Sequence, residues 1–240
     1  MKNIGAALVL AVAIVSSAYV LGKGFKNFRP QGSITVKGLA EVPYKATLAE
    51  WNLSVQVWGE DYKKALDAAD EKSKVLEGFL RERGFEFTRN PVSVSTNYED
   101  YKDEKGEVHQ RANGYNGSYD YVVSSKDLAK VQKTWDEIQL LKADNSFIGF
   151  DRPNYLIDGL EKVKLDLIAQ ATKDARSRAE QFVKSSNGTV GNMKTASQGS
   201  FSINAPNKTD DDSDYGGSYD KSTIDKVIRL VVTVEYAVSN

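Results

Sequence analysis

The sequence predicts an α+β protein, with mostly antiparallel sheets and packed helices behind an N-terminal apolar helix. Three observations predict it. Ile4 to Leu21 form an apolar run (IGAALVLAVAIVSSAYVL) behind a single Lys2. Beyond that run, segments with apolar side chains at every second residue alternate with segments where they recur every three or four. The strands are mostly joined as hairpins and interrupted by helices, a pattern that layers helices on an antiparallel or mixed sheet.

At about 1.5 Å per residue the apolar run reaches roughly 27 Å, close to the ~30 Å hydrocarbon core of a bilayer. Lys2 supplies a basic start, and Ser16-Ser17-Ala18 is an acceptable small-residue cleavage site. Residues 1–22 are therefore a signal peptide or an uncleaved signal anchor, and the length favours the anchor. Lys23, Lys26 and Arg29 follow the run and oppose export under the positive-inside rule. Export is still preferred, because a basic start before an apolar segment is the usual export signal. The expected location is extracytoplasmic or periplasmic, tethered to the inner membrane, with a cleaved soluble form as the alternative.

Residues 23–32 read as a linker, and 33–240 as the folded α+β domain. Ser33–Leu39 is a first strand. Lys45–Trp58 is a longer one, with Trp51, Leu53, Val55 and Val57 on one face and Glu50, Asn52, Ser54 and Gln56 on the other. Pro43 between them fits a turn or an edge. Asp61–Arg83 is a helix with Tyr62, Ala65, Leu66, Ala69, Ser73, Leu76 and Leu80 on its inner face, and Gly84 ends it. Two strands follow, around Val92–Tyr98 and Tyr115–Val123, joined by a polar segment containing Gly106 that suggests a long hairpin with a solvated tip. Ser124 and Asp127 offer a capping box. The helix behind them buries Leu128, Val131, Trp135, Ile138 and Leu141.

Phe147–Ile157 is a strand whose Pro153 hints at an edge or bulge. The longest helix runs from about Asp158 to Ser186, with Leu160, Val163, Leu167, Ala171, Ala175, Ala179 and Phe182 as its stripe, and Asn187-Gly188 stops it. Met193–Ile203 is a weak strand, Asn204–Ser222 a polar acidic loop, and the last strand points Ile228, Leu230, Val232, Val234, Tyr236 and Val238 one way. The order is ββαββαβαββ, with a ferredoxin-like βαββαβ unit from Lys45 to Ile157.

Charge and composition exclude several classes. The 240 residues hold 32 Lys+Arg against 33 Asp+Glu, a net charge of −1, without the basic excess of a nucleic-acid binder. At 40% apolar residues the chain can build a core, so global disorder is excluded. No Cys means no disulfide and no thiolate metal site. His109 is the only imidazole, so no His-based metal cluster or His pair forms within one chain, and a solvated loop histidine is preferred to a catalytic base. No Gly-x-Ser-x-Gly elbow and no phosphate-binding glycine motif is present.

Asp210, Asp211, Asp212 and Asp214 resemble the start of a calcium loop, but Tyr215 and Lys221 stand where Gly and Glu are needed, which favours a solvated acidic loop. Tyr98, Tyr101, Tyr115, Tyr119 and Tyr121 could line a ligand groove or an oligomer surface, and cross-strand aromatic packing is preferred. Asp174 and Arg178 have the spacing of an exposed helical ion pair. The neighbouring carboxylates Glu99 and Asp100 leave a hydrolase as the weakest alternative. No catalytic, cofactor-binding or metal residue is assigned.

Ile34, Thr35, Val36, Lys37 and Gly38 open the fold. With them go the helix motif of Ala171, Asp174, Ala175, Arg176, Arg178, Ala179 and Glu180, then Gly188, Val190 and Gly191, with Asn145, Phe147, Ile148, Gly149 and Phe150 before the helix. As a set these resemble the SIMPL-domain family over roughly Ser33 to Asn240. Two features depart from it. Ala46-Thr47 stands where many members have Pro-Asp, and the acidic insert is long. The resemblance implies an α+β fold, a cell-envelope location in bacterial members, no cofactor, ring-like or channel-like oligomers, and a loose link to oxidative-stress tolerance. It does not extend to the kinase-associated role behind the family's name. The expected function is a non-enzymatic envelope protein acting through self-assembly or partner binding, with a homo-oligomer, the membrane as its anchor, no nucleic acid and an unidentified protein partner. The alternative is a small-ligand or metal-ion binding domain.

Overall fold

The computed structural model describes residues 12–22, 32–207 and 217–239. The linker and the acidic run Asp210–Asp214 lie outside them, so the calcium-loop reading has no structural counterpart here. Helix α1 (residues 12–22) is the described part of the apolar run. Among the described residues no helix is long and apolar enough to cross a membrane, a statement that takes in only this part of the run. The α+β class is as predicted.

The remaining elements are β1 (Gly32–Lys45), β2 (Leu48–Gly59), α2 (Tyr62–Glu82), β3 (Phe87–Arg89), β4 (Ser93–Lys102), β5 (Val108–Ser125), α3 (Leu128–Asp144), β6 (Ile148–Phe150), β7 (Asn154–Leu156), α4 (Leu160–Lys184), β8 (Thr189–Asn204) and β9 (Asp225–Ser239). They divide between two compact units. One comprises the described residues within Met1–Leu39, Ile168–Gly199 and Val231–Asn240, the other Ala40–Leu167 and the described residues within Ser200–Leu230. Strands β1, β9 and β8 form a three-stranded sheet in that order, and each supplies residues to both units.

The larger unit is built on an antiparallel sheet. β2 pairs with β5 from Ala49↔Ser125 to Gly59↔Tyr115, and on its other side with β6 and then β7. β3 and β4 both pair with the far edge of β5. Read by sequence order within the βαββαβ unit, the strands lie fourth, first, third, second, which is the split arrangement the hairpins and helices predicted. One sheet face carries Trp51, Leu53 and Val55 opposite Val123, Tyr121 and Tyr119, all buried. With Ala69, Leu76 and Leu80 of α2 and Val131 and Ile138 of α3 they make one core. The alternation seen in the sequence is therefore the cross-section of this sheet. Its other face carries Glu50, Asn52 and Ser54.

Several details differ from expectation. Pro43 lies inside β1, which runs to Lys45, and not between two strands; the edge position expected of it holds, because β1 is a sheet edge. The strand predicted over Phe147–Ile157 is broken at Pro153 into β6 and β7. α3 is capped by Asp127 itself, whose side chain accepts from the Lys130 N–H, and not by a box begun at Ser124. Tyr62 is exposed, and Glu77 takes a buried place on α2. On α4 Phe182 is 64% exposed while Val183 is 4% exposed, so the stripe ends one residue later than predicted.

In the smaller unit, α4 buries Ala171, Ala175, Ala179 and Val183. A Cβ on Gly38 of β1 would stand 2.1 Å from the Ala171 carbonyl oxygen and 2.6 Å from the Ala175 nitrogen. Strand and helix backbones touch there, so neither Gly38 nor the two alanines can grow.

Candidate functional site

The β4–β5 hairpin outgrows its sheet. β2 ends at Gly59, opposite Tyr115, so β5 before Tyr115 pairs only with β4 among the described strands. The register shifts between Thr96 and Tyr98, where β5 has one residue more than β4. Gly114 occupies the bulge with φ of 73°. The Asn113 carbonyl beside it accepts from the Trp58 indole at 2.8 Å and the Asn97 amide at 3.0 Å, which fixes the base of the arm. Beyond the bulge a two-stranded ribbon continues for roughly 20 Å at ~3.3 Å per residue.

On one ribbon face Tyr98 stands opposite Ala112, Asp100 opposite Gln110 and Lys102 opposite Val108. Tyr98 is 61% and Val108 62% exposed. The other face carries Glu99 opposite Arg111 and Tyr101 opposite His109. Glu99 accepts from Arg111 and from the Asn113 amide, and Asp100 from the Gln110 amide. Adjacent strand residues point to opposite faces, so Glu99 and Asp100 are not a working carboxylate pair.

At the turn, Asp103 Oδ1 accepts from the backbone N–H groups of Lys105 and Glu107, both at 2.9 Å, while its Oδ2 lies 3.0 Å from His109 Nε2. The hydrogen bond with His109, then those from the turn, hold the Asp103 carboxyl below its ordinary range. Glu107 completes a set of three potential metal ligands whose donor atoms lie within 4.8 Å of one another. A single imidazole rules out a cluster of several histidines but not this mixed set of one His and two carboxylates. His109 is exposed as expected, but it lies in strand β5 opposite Tyr101 and not in a loop, and Asp103 is its partner.

The five tyrosines do not line one groove. Tyr98 and Tyr101 are on the ribbon; Tyr115 meets Tyr62 edge-on at 6.0 Å. Tyr119 and Tyr121 are core residues whose hydroxyls donate to Asp70 and Glu77. Glu77, missed in the sequence, also accepts from Arg81 at 2.7 Å and Arg89 at 3.1 Å. Its signal was a carboxylate one residue past Leu76 with an arginine four further on.

A second missed group is Lys226, fully buried on the same strand parity as Ile228 and Leu230. Its ammonium donates to the Asp220 carbonyl and lies 3.5 Å from the Asp220 carboxylate. Burial pulls the Lys226 pKa down, and the Asp220 charge opposes it. Burial alone would raise Asp220, but hydrogen bonds from Thr223 and Ser222 and the Lys226 charge outweigh it and hold that carboxyl well below the carboxylate range. Beside this pair a cavity of about 430 Å³ is lined by Arg152, Asn154, Asn204, Ser218, Tyr219 and Lys221, among others.

The residues that carried the family resemblance fall in two places: Ile148, Gly149 and Phe150 form β6 on β2, and Gly38, Ala171, Asp174 and Ala175 lie in the smaller unit. Asp174 is not merely half of an exposed pair: its Oδ2 accepts the Leu39 backbone N–H at 2.9 Å and the Arg178 guanidinium at 2.7 Å. Together with Gly38, Ala171 and Ala175 it fastens β1 to α4. The model of the SIMPL family, a protein of unknown function (DUF541), matches residues 34–236. The chain belongs to the SIMPL family. No curated protein matches it. The SIMPL signature in this chain is thus a structural joint, made of a strand glycine, small helix residues and a carboxylate that ties the strand backbone.

Proposed function

We propose that this SIMPL protein is a non-enzymatic protein of the cell envelope that acts by self-assembly of its own copies, exported and held at the membrane by Ile4–Leu21. The observation that carries the reading is the β4–β5 ribbon. A two-stranded hairpin projecting without a third strand is marginal alone, and its free edges and apolar side chains are a ready contact surface. Tyrosine is enriched at protein interfaces, and Tyr98 and Val108 share the exposed ribbon face. The opposite face holds the Glu99–Arg111 pair, while Asp100 and Lys102 share the face of Tyr98 and Val108 and would give contact there a polar rim. A part in stress tolerance rests on the family resemblance alone.

Light scattering on the full chain in mild detergent tests the reading. The protein mass should be a multiple of the chain mass, and Tyr98→Ser with Val108→Ser should return it to one chain with the melting temperature unchanged. A monomeric parent protein would reject assembly. It would leave the second reading, a small-ligand binding domain, for which the polar cavity beside Arg152 and Asn204 is the supporting observation.

A further inference from the structure

We propose that Asp103, Glu107 and His109 form a binding site for a divalent transition-metal ion, with zinc(II) as the reference ion, at the tip of the β4–β5 hairpin. The donor set is one imidazole nitrogen and two carboxylate oxygens, and these atoms already lie within 4.8 Å of one another. With metal–ligand bonds of about 2.0–2.2 Å, a tetrahedral ion needs its donors about 3.4 Å apart, so modest side-chain adjustment closes the site. The His109–Asp103 separation of 3.0 Å is already in that range. An ion between them replaces that hydrogen bond: the neutral imidazole ligates through Nε2 and keeps its one proton on Nδ1, and a proton goes to solvent only when the imidazolium binds.

Two features prepare the ligands. Asp103 Oδ1 is committed to the backbone N–H groups of Lys105 and Glu107, which turns Oδ2 toward His109. Such support of a ligating carboxylate is the usual outer shell of a metal site. The Tyr101 ring, 5.7 Å from the imidazole, restricts it on one side, and the nearby Arg111 is committed to Glu99. The ladder partners Tyr101↔His109 and Lys102↔Val108 and the Asp103 N–H to Glu107 carbonyl bond hold the ends of the turn together without any ion. Imidazole selects zinc-class ions over calcium and magnesium, which prefer oxygen shells of six or more. Three protein donors leave a fourth position to water or to a donor from another molecule.

The test uses the untagged full chain in mild detergent, stripped with a chelator and titrated with zinc chloride by calorimetry. A second readout is the imidazole proton resonance, unambiguous because the chain has a single His. One zinc per chain should bind, with the His109 resonance shifting as it fills. His109→Ala and Asp103→Asn should each weaken binding at least tenfold, with melting temperatures in zinc-free buffer unchanged. Replacing Asp210, Asp211, Asp212 and Asp214 by Asn should leave zinc binding as it was. Undiminished binding in His109→Ala, or an unmoved imidazole signal up to millimolar zinc, would overturn the proposal. Neither result depends on whether the chain assembles.

Discussion

Gly38 has no side chain because α4 leaves no space for one, and that single contact explains why the run from Ile34 ends in glycine. Gly38→Ala should cost several kcal/mol, since the contacts it meets are helix backbone, which cannot rotate aside. Asp174→Ala, which helical spacing alone would price as a surface pair, should cost about 1–3 kcal/mol because it leaves the Leu39 N–H without its acceptor. Chemical denaturation of both variants checks this. A loss under about 0.5 kcal/mol at Asp174 would mean that the pair with Arg178 is all there is. Asp220 acts in the same manner on a buried charge. Its folded pKa lies below the ordinary aspartate value of about 3.9, so its contribution is present above about pH 4 and is lost as pH falls through the range beneath. Asp220→Ala should destabilise by on the order of 3 kcal/mol at pH 7, because Lys226 then keeps a buried charge without its counter-ion. The variant should also show a shallower loss of stability in acid titration than the parent.

Among the elements, α4 separates what periodicity can and cannot tell. Its three- and four-residue steps placed Leu167, Ala171, Ala175 and Ala179 inside correctly, yet Phe182 and Val183 exchange roles at the last turn. Hydrophobicity and a straight 3.6-residue stripe both favour Phe182, but the buried row follows four-residue steps from Leu167 through Ala171, Ala175 and Ala179 to Val183 and so winds round the helix. Ala175→Leu should therefore overpack the joint at Gly38 and cost about 1–3 kcal/mol, while Phe182→Ser should stay within about 0.5 kcal/mol. Thermal melts compare the two directly. Strand alternation was legible for the same reason: Trp51, Leu53 and Val55 face a core on one side only. The split at Pro153, the bulge at Gly114 and the cap at Asp127 were not, because each depends on a partner strand or a backbone angle that spacing does not record. The cluster at the hairpin tip was hidden likewise. Asp103 and His109 are six residues apart in a polar stretch, and only the register of β4 on β5 brings them to 3.0 Å.

For the whole molecule, the helix and strand residues of the family signature fasten β1 to α4, and the proposed assembly rests on the β4–β5 ribbon. Gly38, Ala171, Asp174 and Ala175 of the signature make that joint, and the ribbon exposes Tyr98 and Val108 on one face. Because the chain has no cysteine, a single one can report on contacts between copies without background. The most direct measurement is cross-linking of the full chain in detergent with a short bis-maleimide. Tyr98→Cys or Val108→Cys should join copies into covalent dimers at dilute protein concentration, and Leu140→Cys, equally exposed on α3, should leave them separate. Dimers from Leu140→Cys with none from the two ribbon positions would contradict the account.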